Sequence, residues 1–318
     1  MVKTIFGGAA LSDLGGRAFA TPEARAEAVD VLLANGVVNL DTARLYPGSE
    51  VAIGALEKRE SFVIDTKLVG GFQPGNVSKE QVITDAQDSL NRLQIKQVDI
   101  LYIHAPDEST PFEETLDGIN EVYKKGIFKR FGLSNFSAEQ VQKVYDIAKE
   151  KGYPLPTAYQ GNYNPVARHL ETNLFPTLRK LGISFYAYSP LAGGFLTKSA
   201  ADLDAGAGRF NEQAIGGLYS KLYDKPALRA ALIKWNEAAE KEGIPKAELA
   251  YRWVKYHSAL QGEEDGVIFG ASSLKQIEQT AKGLQKGKLS GEAVKAIEEI
   301  WQSVKDDAPI DNYASTRS

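Results

Sequence analysis

The sequence predicts a single (β/α)8 barrel with a long loop after its seventh strand. Short apolar segments alternate with amphipathic helical segments along the whole chain, and eight such short segments can be counted. Apolar strands that alternate with helices are typical of a parallel sheet covered on its outer face. Eight units in 318 residues favour a closed barrel over an open, doubly wound sheet. No linker rich in Pro, Gly and Ser divides the chain, so residues 1–318 are interpreted as one domain.

Each strand is predicted from a short run of apolar, β-branched and aromatic residues that turn-forming residues bound. Runs of this kind recur between the helical segments from the start of the chain to about residue 270. In chain order the predicted strands are Thr4–Gly7, Val37–Asp41, Phe62–Lys67, Val98–Ile103, Lys129–Leu133, Thr157–Gln160, Ser184–Tyr188 and Val267–Gly270.

The helices are predicted from capping residues and from apolar positions at three- and four-residue spacing. Thr21 and Pro22 open the first helix as a capping residue and a proline at the first helical position, and Gly36 closes it. Ser78 opens the second, whose apolar stripe runs over Val82–Leu93. The other predicted helices are Phe112–Lys125, Ala138–Lys151, Glu171–Leu181, Pro226–Glu242, Lys246–His257, Leu274–Leu284 and Gly291–Val304.

The longest stretch without a clear period is Ser189–Lys225, which is rich in Gly and Ala. We interpret it as a loop insertion after the seventh strand and not as a domain boundary. Connections that follow barrel strands line the active-site end of the barrel, so residues 189–225 are expected to cover the site.

The composition excludes several classes of protein. Lys and Arg number 37 against 41 Asp and Glu, which gives a net charge of −4 and no global basic field for nucleic acid or anionic lipid. No window approaches the roughly 18 apolar residues of a membrane-spanning helix, and the N-terminus lacks the apolar run of a secretory signal. Cysteine is absent, which excludes disulfides and thiolate catalysis and fits a cytoplasmic location.

Polar residues follow three consecutive strands, at the end of a barrel where active sites lie. The second strand ends at Asp41, and Tyr46 stands in the loop after it. The third strand ends at Lys67, and the fourth runs into His104. Each of these residues alone is more often a cap, a solvated charge or a packing residue. Their joint placement after neighbouring strands predicts that a cation, an anion, an imidazole and a phenol meet on one face.

Such a group suits proton donation to a carbonyl compound. Lys67 is the expected partner of Asp41, which would keep the lysine charged. A cation about 4 Å away, at an effective dielectric constant of about 20, is worth about 4 kcal/mol, so we expect Lys67 to bring the pKa of Tyr46 down toward a usable range. His104 would donate a hydrogen bond that orients a carbonyl oxygen beside the phenol.

These residues resemble the signature of the aldo-keto reductase superfamily, in which an aspartate stands five residues before a tyrosine and a lysine and a histidine follow the next two strands. The resemblance covers nearly the whole chain and is greatest to the aflatoxin-aldehyde reductase branch, through "LYIHAPD", "GLSN", "YQGNYN", "LFPTLRKLGISFYAYSPLAGGFLT" and "GASSLKQIEQ". It implies a (β/α)8 barrel that reduces aldehydes and ketones with NADPH. Tyr46 would be the general acid, Lys67 and Asp41 would tune it, and His104 would orient the carbonyl.

The resemblance also implies where the cofactor lies. An amide needs paired donors and acceptors, and a flat ring favours a flat partner. No GxGxxG turn follows the first strand, so a Rossmann domain is not supported. The implied contacts are Ser134, Asn135 and Gln160 to the nicotinamide carboxamide, Tyr188 to its ring, Ser189, Pro190, Leu191 and Gly193 to the pyrophosphate, and Ser272 to the 2′-phosphate.

Two departures from the family pattern bear on cofactor choice. Gln276 stands where many members carry a cation for the 2′-phosphate, and Arg209 is expected to clamp that phosphate instead, beside Lys275. Gln279 and Thr280 replace the more usual Glu-Asn pair that reads the adenine. NADPH is favoured, with NADH as the alternative.

The substrate is predicted from the loop after the seventh strand. Tyr219 matches the branch, whereas Leu222 stands where an arginine for a substrate carboxylate is expected. Whether Arg317, in the tail "DNYASTRS", reaches the pocket is open at the level of sequence. We therefore predict a preference for uncharged aromatic or hydrophobic aldehydes over carboxylate-bearing ones.

Two other functions compete with the reductase. A metal-dependent barrel hydrolase would need several converging ligands, but only His104 of three histidines ends a strand, and Lys67 would repel a cation. Potassium-channel β subunits resemble the same family, and such a protein would bind NADPH tightly yet turn over aldehydes slowly. A monomer and a homodimer are both compatible with the sequence.

Overall fold

Eight parallel strands close into a barrel in chain order, with β8 hydrogen-bonded to β1. The structure is a computed structural model, and it describes residues 2–12, 17–211 and 214–313. The prediction of a (β/α)8 barrel is confirmed. The strands are β1 Lys3–Gly7, β2 Asn39–Asp41, β3 Val63–Leu68, β4 Val98–Ile103, β5 Phe128–Ser134, β6 Pro156–Asn162, β7 Ser184–Tyr188 and β8 Gly266–Phe269.

All eight predicted strands are present, with differences only at their ends. β2 begins at Asn39, because its parallel register with β3 starts at the Asn39–Val63 pair and Val38 only accepts a hydrogen bond from the Val63 backbone. β5 and β6 run further than predicted and carry Ser134 and Gln160 within their carboxyl ends. These two residues are therefore held by strand hydrogen bonds rather than by loops.

The helices surround the barrel and begin where the capping residues indicate. The side chain of Thr21 accepts a hydrogen bond from the Ala24 backbone, and that of Ser78 accepts one from the Gln81 backbone. The α-helices are α1 Pro22–Ala34, α2 Ser49–Gly54, α3 Lys79–Leu93, α4 Phe112–Lys124, α5 Ala138–Glu150, α6 Leu170–Asn173, α7 Phe175–Leu181, α8 Ala200–Asp204, α9 Leu218–Tyr223, α10 Pro226–Glu242, α11 Lys246–Tyr256, α12 Leu274–Gly283 and α13 Gly291–Val304.

Three helical features differ from the prediction. The single helix predicted over Glu171–Leu181 is broken into α6 and α7, because Pro176 can only stand in the first turn of a helix. The short helix α2 carries too few residues to show a period and was not predicted. The loop Ser189–Lys225 is not wholly irregular, since it contains α8 and α9. A capping box between Ser199 and Asp202 opens α8.

Side chains fill the inside of the barrel, so it is a packed core and not a pore. A larger apolar core lies between the strands and the surrounding helices. Within the described ranges, none of the helices has both the length and the apolar character needed to cross a membrane. The buried cluster inside the barrel consists of Ile5, Ile100, Tyr102, Ala158, Tyr186 and Ile268.

Candidate active site

A buried ion pair stands at the carboxyl ends of β2 and β3. The ammonium group of Lys67 lies 2.7 and 2.6 Å from the two carboxylate oxygens of Asp41 and 2.7 Å from the backbone oxygen of Thr42. Lys67 is fully buried and Asp41 is 3% exposed. All three ammonium protons are thus directed at oxygens, and the pairing predicted from the sequence is present in the structure.

Tyr46 and His104 adjoin this ion pair. The ammonium nitrogen of Lys67 lies 5.4 Å from the centroid of the Tyr46 ring. The rings of Tyr46 and His104 meet edge to face, with centroids 5.8 Å apart. The structure therefore brings together the four side chains that the strand ends were expected to bring together.

The expected effect of Lys67 on the pKa of Tyr46 is wrong. Burial raises the pKa of the Tyr46 phenol, the negative charge of Asp41 and the neighbouring Tyr219 raise it further, and Arg209 lowers it. The main reason is burial, which the residue types alone do not reveal, and the negative charge of Asp41 adds to it. Tyr46 consequently stays protonated at neutral pH, as a proton donor requires.

His104 is neutral in this site. Burial, and secondly the positive charge of Lys67, hold the pKa of His104 well below its usual range. The Nδ1 atom of the ring is buried and has no hydrogen-bond partner among the described residues. Buried polar atoms are nearly always paired, so a ligand atom at this position would satisfy the imidazole.

The other two histidines lie outside this cluster. The ring of His169 packs edge-on against Trp301, and Nε2 of His257 accepts a hydrogen bond from the backbone of Leu289. Across residues 2–12, 17–211 and 214–313, no three histidine, aspartate or glutamate side chains gather as ligands for a metal ion. The described part of the chain thus offers no ligand set for a metal-dependent hydrolase.

A belt of polar side chains continues from the ion pair along β5, β6 and β7. The amide nitrogen of Asn135 donates to the backbone oxygen of His104 (2.8 Å) and to the hydroxyl of Ser134 (3.2 Å), and its oxygen accepts from the hydroxyl of Tyr188 (2.8 Å). The amide nitrogen of Gln160 donates to Asp41 at 2.8 Å. Four of the residues predicted to bind nicotinamide are thus linked to one another or to the buried Asp41–Lys67 pair.

These residues fit a carboxamide. Ser134 and Gln160 are almost fully buried. In the described part of the chain, the hydroxyl proton of Ser134 and the amide oxygen of Gln160 take part in no protein hydrogen bond. One donor and one acceptor therefore remain, which is what a primary amide group needs.

The turn after β7 has an unusual backbone. Ser189, Ala192, Gly193 and Gly194 all have positive φ angles, of 52°, 51°, 69° and 104°. Pro190 and Leu191 stand within this turn, and the backbone of Ala192 donates to that of Ser189. The N–H of Gly194 is bonded to Leu191 within the turn. A negative φ at Leu191 followed by a positive φ at Ala192 is the alternation that lets backbone N–H groups line a concave, anion-binding surface. The turn is therefore compatible with a bound pyrophosphate.

Tyr219 lies against this turn. A Cβ atom at Gly193 would come within 1.9 Å of the Tyr219 ring, so only glycine allows the contact. The Tyr219 hydroxyl lies 3.3 Å from that of Ser189 and accepts a 3.4 Å hydrogen bond from Arg209, whose guanidinium is 5.5 Å from the ring centroid. The residue predicted for substrate thus contacts residues predicted for cofactor.

Arg209 also affects a residue of α11, the helix that packs beside α12. Its charge lowers the pKa values of both Tyr46 and Tyr251, although burial keeps both above their usual values. Tyr251 stands in α11, which packs against α12. The charge of Arg209 thus affects Tyr46, beside the ion pair, and Tyr251, in α11.

The N-terminus of α12 holds the remaining cofactor candidates. The backbone and the hydroxyl of Ser272 donate to the side-chain oxygen of Gln276 at 2.8 and 3.0 Å, and Ser273 caps the helix. Ser272, Gln276 and Gln279 are exposed. Gln276 contributes a cap here and no charge, and the helix N-terminus itself favours an anion.

Two aromatic residues of the site escaped the sequence prediction. The Phe72 ring lies between those of His104 and Tyr313, with both centroid distances 5.0 Å. The Tyr313 hydroxyl lies 3.1 Å from the backbone oxygens of both Gly71 and Pro106, so the C-terminal segment is fastened to the loops after β3 and β4. An aromatic in a tail has no period that could have revealed this role. Arg317 lies outside the described residues.

Comparison with known proteins places the chain among carbonyl reductases. The model of the aldo/keto reductase family matches residues 3–302. The chain is 44% identical to the oxidoreductase sirO of Leptosphaeria maculans, over 91% of this chain and 89% of that protein. It is 37% identical to the human aflatoxin B1 aldehyde reductase member 2, over 91% and 84% of the two chains. It is also 37% identical to the human aldo-keto reductase family 7 member A3, over 88% and 89%.

Proposed function

Because this chain belongs to the aldo/keto reductase family, we propose that it reduces aldehydes, and some ketones, to alcohols with NADPH and with Tyr46 as the general acid. Membership of the family already makes it an oxidoreductase that acts on carbonyl groups and uses a nicotinamide cofactor. The resemblance drawn from its motifs is thereby confirmed. The buried Asp41–Lys67 pair beside Tyr46 and His104 carries the finer proposal.

The proposed proton transfer follows from the charges of the site. Tyr46 remains protonated because burial and Asp41 raise its pKa, so the phenol can donate to a carbonyl oxygen on which negative charge develops. Lys67, 5.4 Å from the ring centroid, then stabilises the phenolate, and Asp41 holds the ammonium in place. Neutral His104 donates a hydrogen bond to the same oxygen. Positioned general acids typically contribute about 10²–10⁴ in rate.

The cofactor, when bound, supplies the hydride. Ser134, Asn135 and Gln160 would hold its carboxamide, and Tyr188 would face the ring. The left-handed turn at 189–194 would bind the pyrophosphate, and α12 with Arg209 the adenosine end. The loop 189–225 would cover both cofactor and substrate.

Arg209 is expected to set the preference for NADPH. A 2′-phosphate needs a cation, Gln276 supplies none, and Arg209 already acts on groups beside α12. In Arg209→Ala we expect the Kd for NADPH to rise by about tenfold or more, since a charged hydrogen bond is worth about 1.5–3 kcal/mol, while the Kd for NADH changes little. Fluorescence titration with both cofactors measures this. Lys275→Ala, which removes the exposed neighbouring cation, is the matched comparison, and equal losses for NADPH and NADH in Arg209→Ala would refute the assignment.

The proposed substrate is an uncharged aromatic or hydrophobic aldehyde. Phe72 and Ile310 are 36% and 44% exposed. Leu222, at the position where the family resemblance leads us to expect an arginine, is buried. Burying a carboxylate without a partner is costly. We therefore expect kcat/KM for 4-nitrobenzaldehyde to exceed that for the similarly sized 4-carboxybenzaldehyde by about tenfold or more, a difference of about 1.4 kcal/mol. A higher value for the carboxylate would contradict the proposal.

Oxidation of NADPH in the presence of 4-nitrobenzaldehyde tests the proposed function as a whole. Fast aldehyde-dependent oxidation of NADPH is the expected result. Tight NADPH binding with negligible turnover would instead favour a regulatory role like that of potassium-channel β subunits. A cytoplasmic location and a monomeric or homodimeric state are further predictions from the sequence.

A further inference from the structure

The segment that carries Tyr46 runs from Thr42 to Glu50, and one side of it is fastened to β1. The hydroxyl of Ser49 donates to the backbone oxygen of Gly8 at 2.8 Å and lies 2.7 Å from the hydroxyl of Thr42. These hydroxyl contacts tie both ends of the segment to the end of β1. They do not reach β3, the strand that supplies Lys67.

At its other end the segment is already joined to β3, where Lys67 bonds the backbone oxygen of Thr42 and the Thr42 backbone donates to that of Asp65. Glu50 adds a side-chain connection to β3 at the far end of the segment. One of its carboxylate oxygens accepts a 2.7 Å hydrogen bond from the hydroxyl of Thr66, the residue immediately before Lys67. Glu50 is 2% exposed and Thr66 is fully buried. Burial raises the pKa of Glu50, and the hydrogen bond from Thr66 opposes that rise. Keeping this carboxyl group buried costs free energy. It lies where the segment that carries Tyr46 meets β3, the strand that carries Lys67.

Arg44 lies on the other side of Glu50, and the second carboxylate oxygen of Glu50 accepts no hydrogen bond among the described residues. The Arg44 guanidinium lies 3.9 Å from this oxygen and forms shorter ion pairs with Asp85 (2.9 Å) and Asp88 (3.0 Å) of α3. The Arg44 backbone also donates to the backbone oxygen of Lys67 at 3.1 Å. Residues two before and four after Tyr46 are therefore both anchored next to Lys67.

We propose that Glu50 is a positioning residue, which through Thr66 fixes the separation between the Tyr46 phenol and the Lys67 ammonium. The inference rests on the proposed function, because it assigns Glu50 a role in the proton transfer from Tyr46. Displacing a catalytic group by about 1 Å can cost about 10²-fold in rate. The residues proposed to hold the cofactor come from β5, β6, β7, the loop after β7 and the start of α12, and none of them lies in the segment 42–50, so cofactor binding should not depend on Glu50.

The test compares kcat and the Kd for NADPH in purified variants, with the folded fraction measured by circular dichroism. Glu50→Ala should lower kcat for 4-nitrobenzaldehyde by roughly 10–100-fold and leave the Kd for NADPH within about twofold of wild type. Thr66→Val removes only the hydroxyl and should show the same split. Glu50→Gln keeps an oxygen for Thr66 and should restore most of kcat.

In the double variant Glu50→Ala/Thr66→Val, kcat should fall no further than in Glu50→Ala, because the two residues share one hydrogen bond.

A matched control separates positioning from stability. Glu248 is also buried, and it pairs with Arg252 at 3.2 Å and with Lys286 on the outside of the barrel. Glu248→Ala should lose stability and keep the wild-type kcat.

Three outcomes would overturn the positioning role. These are an unchanged kcat in Glu50→Ala, a Glu50→Gln variant as slow as Glu50→Ala, and an equal fall of kcat in Glu50→Ala and Glu248→Ala. Lack of turnover in the wild type would overturn the proposed function together with this inference, before any variant is compared.

Discussion

In Tyr46→Phe, kcat for the NADPH-dependent reduction of 4-nitrobenzaldehyde is expected to fall by about 10²–10⁴-fold, the usual contribution of a general acid. The substitution removes the hydroxyl of a ring that lies 5.4 Å from the Lys67 ammonium and 5.8 Å from the His104 ring, both measured to the centroid. The ring itself stays, so its edge-to-face contact with His104 should persist. The Kd for NADPH should change little, since the residues proposed to bind it lie on other strands. Stopped-flow kinetics of NADPH oxidation and fluorescence titration measure the two quantities.

A matched control for this variant is Tyr153→Phe. The Tyr153 hydroxyl donates to Asp117 at 2.9 Å, on the outside of the barrel, so its loss should leave kcat unchanged. If Tyr46→Phe kept most of the wild-type turnover, the proton would have to come from another group and the assignment would be wrong. If the wild type and Tyr46→Phe both bound NADPH and neither turned over aldehydes, the regulatory alternative would be favoured.

Much of the fold could be predicted because each strand can be recognised from its own residues and those beside it. The apolar runs between helices are short and bounded by turn residues, and the caps at Thr21 and Ser78 mark helix starts within one residue. The misses have local causes too. Pro176 breaks a helix that periodicity alone extends through it, and α9 is too short for a hydrophobic period to be counted.

The grouping of Asp41, Tyr46, Lys67 and His104 was predictable because parallel strands bring their carboxyl ends to one face. What the sequence could not give was the hydrogen bonding that joins distant segments. Gln160 binds Asp41 across 119 positions of the chain, and Tyr313 reaches Gly71 across 242. The wrong direction for the pKa of Tyr46 has a related origin, since residue identities do not reveal how far the fold buries the phenol.

Lys67→Met is expected to separate the structural from the chemical role of the ion pair. Removing the ammonium leaves Asp41 buried with only the hydrogen bond from Gln160 among its described side-chain contacts. Breaking a buried pair by removing one partner typically costs about 3–5 kcal/mol. Catalysis should also fall, because the phenolate formed at Tyr46 loses the cation 5.4 Å from its ring. Urea unfolding and single-turnover kinetics at saturating NADPH follow the two effects.

The double variant Lys67→Met/Asp41→Asn then distinguishes the two losses. Asparagine carries no charge that needs a partner and keeps an oxygen for the amide of Gln160, so most of the lost free energy of unfolding should return. Activity should not return, because no cation is restored beside Tyr46. Recovery of both stability and turnover would mean that the pair serves only to hold the fold. Failure of the double variant to recover stability would mean that the cost in Lys67→Met comes from the space left by the lysine chain and not from the unpaired carboxylate.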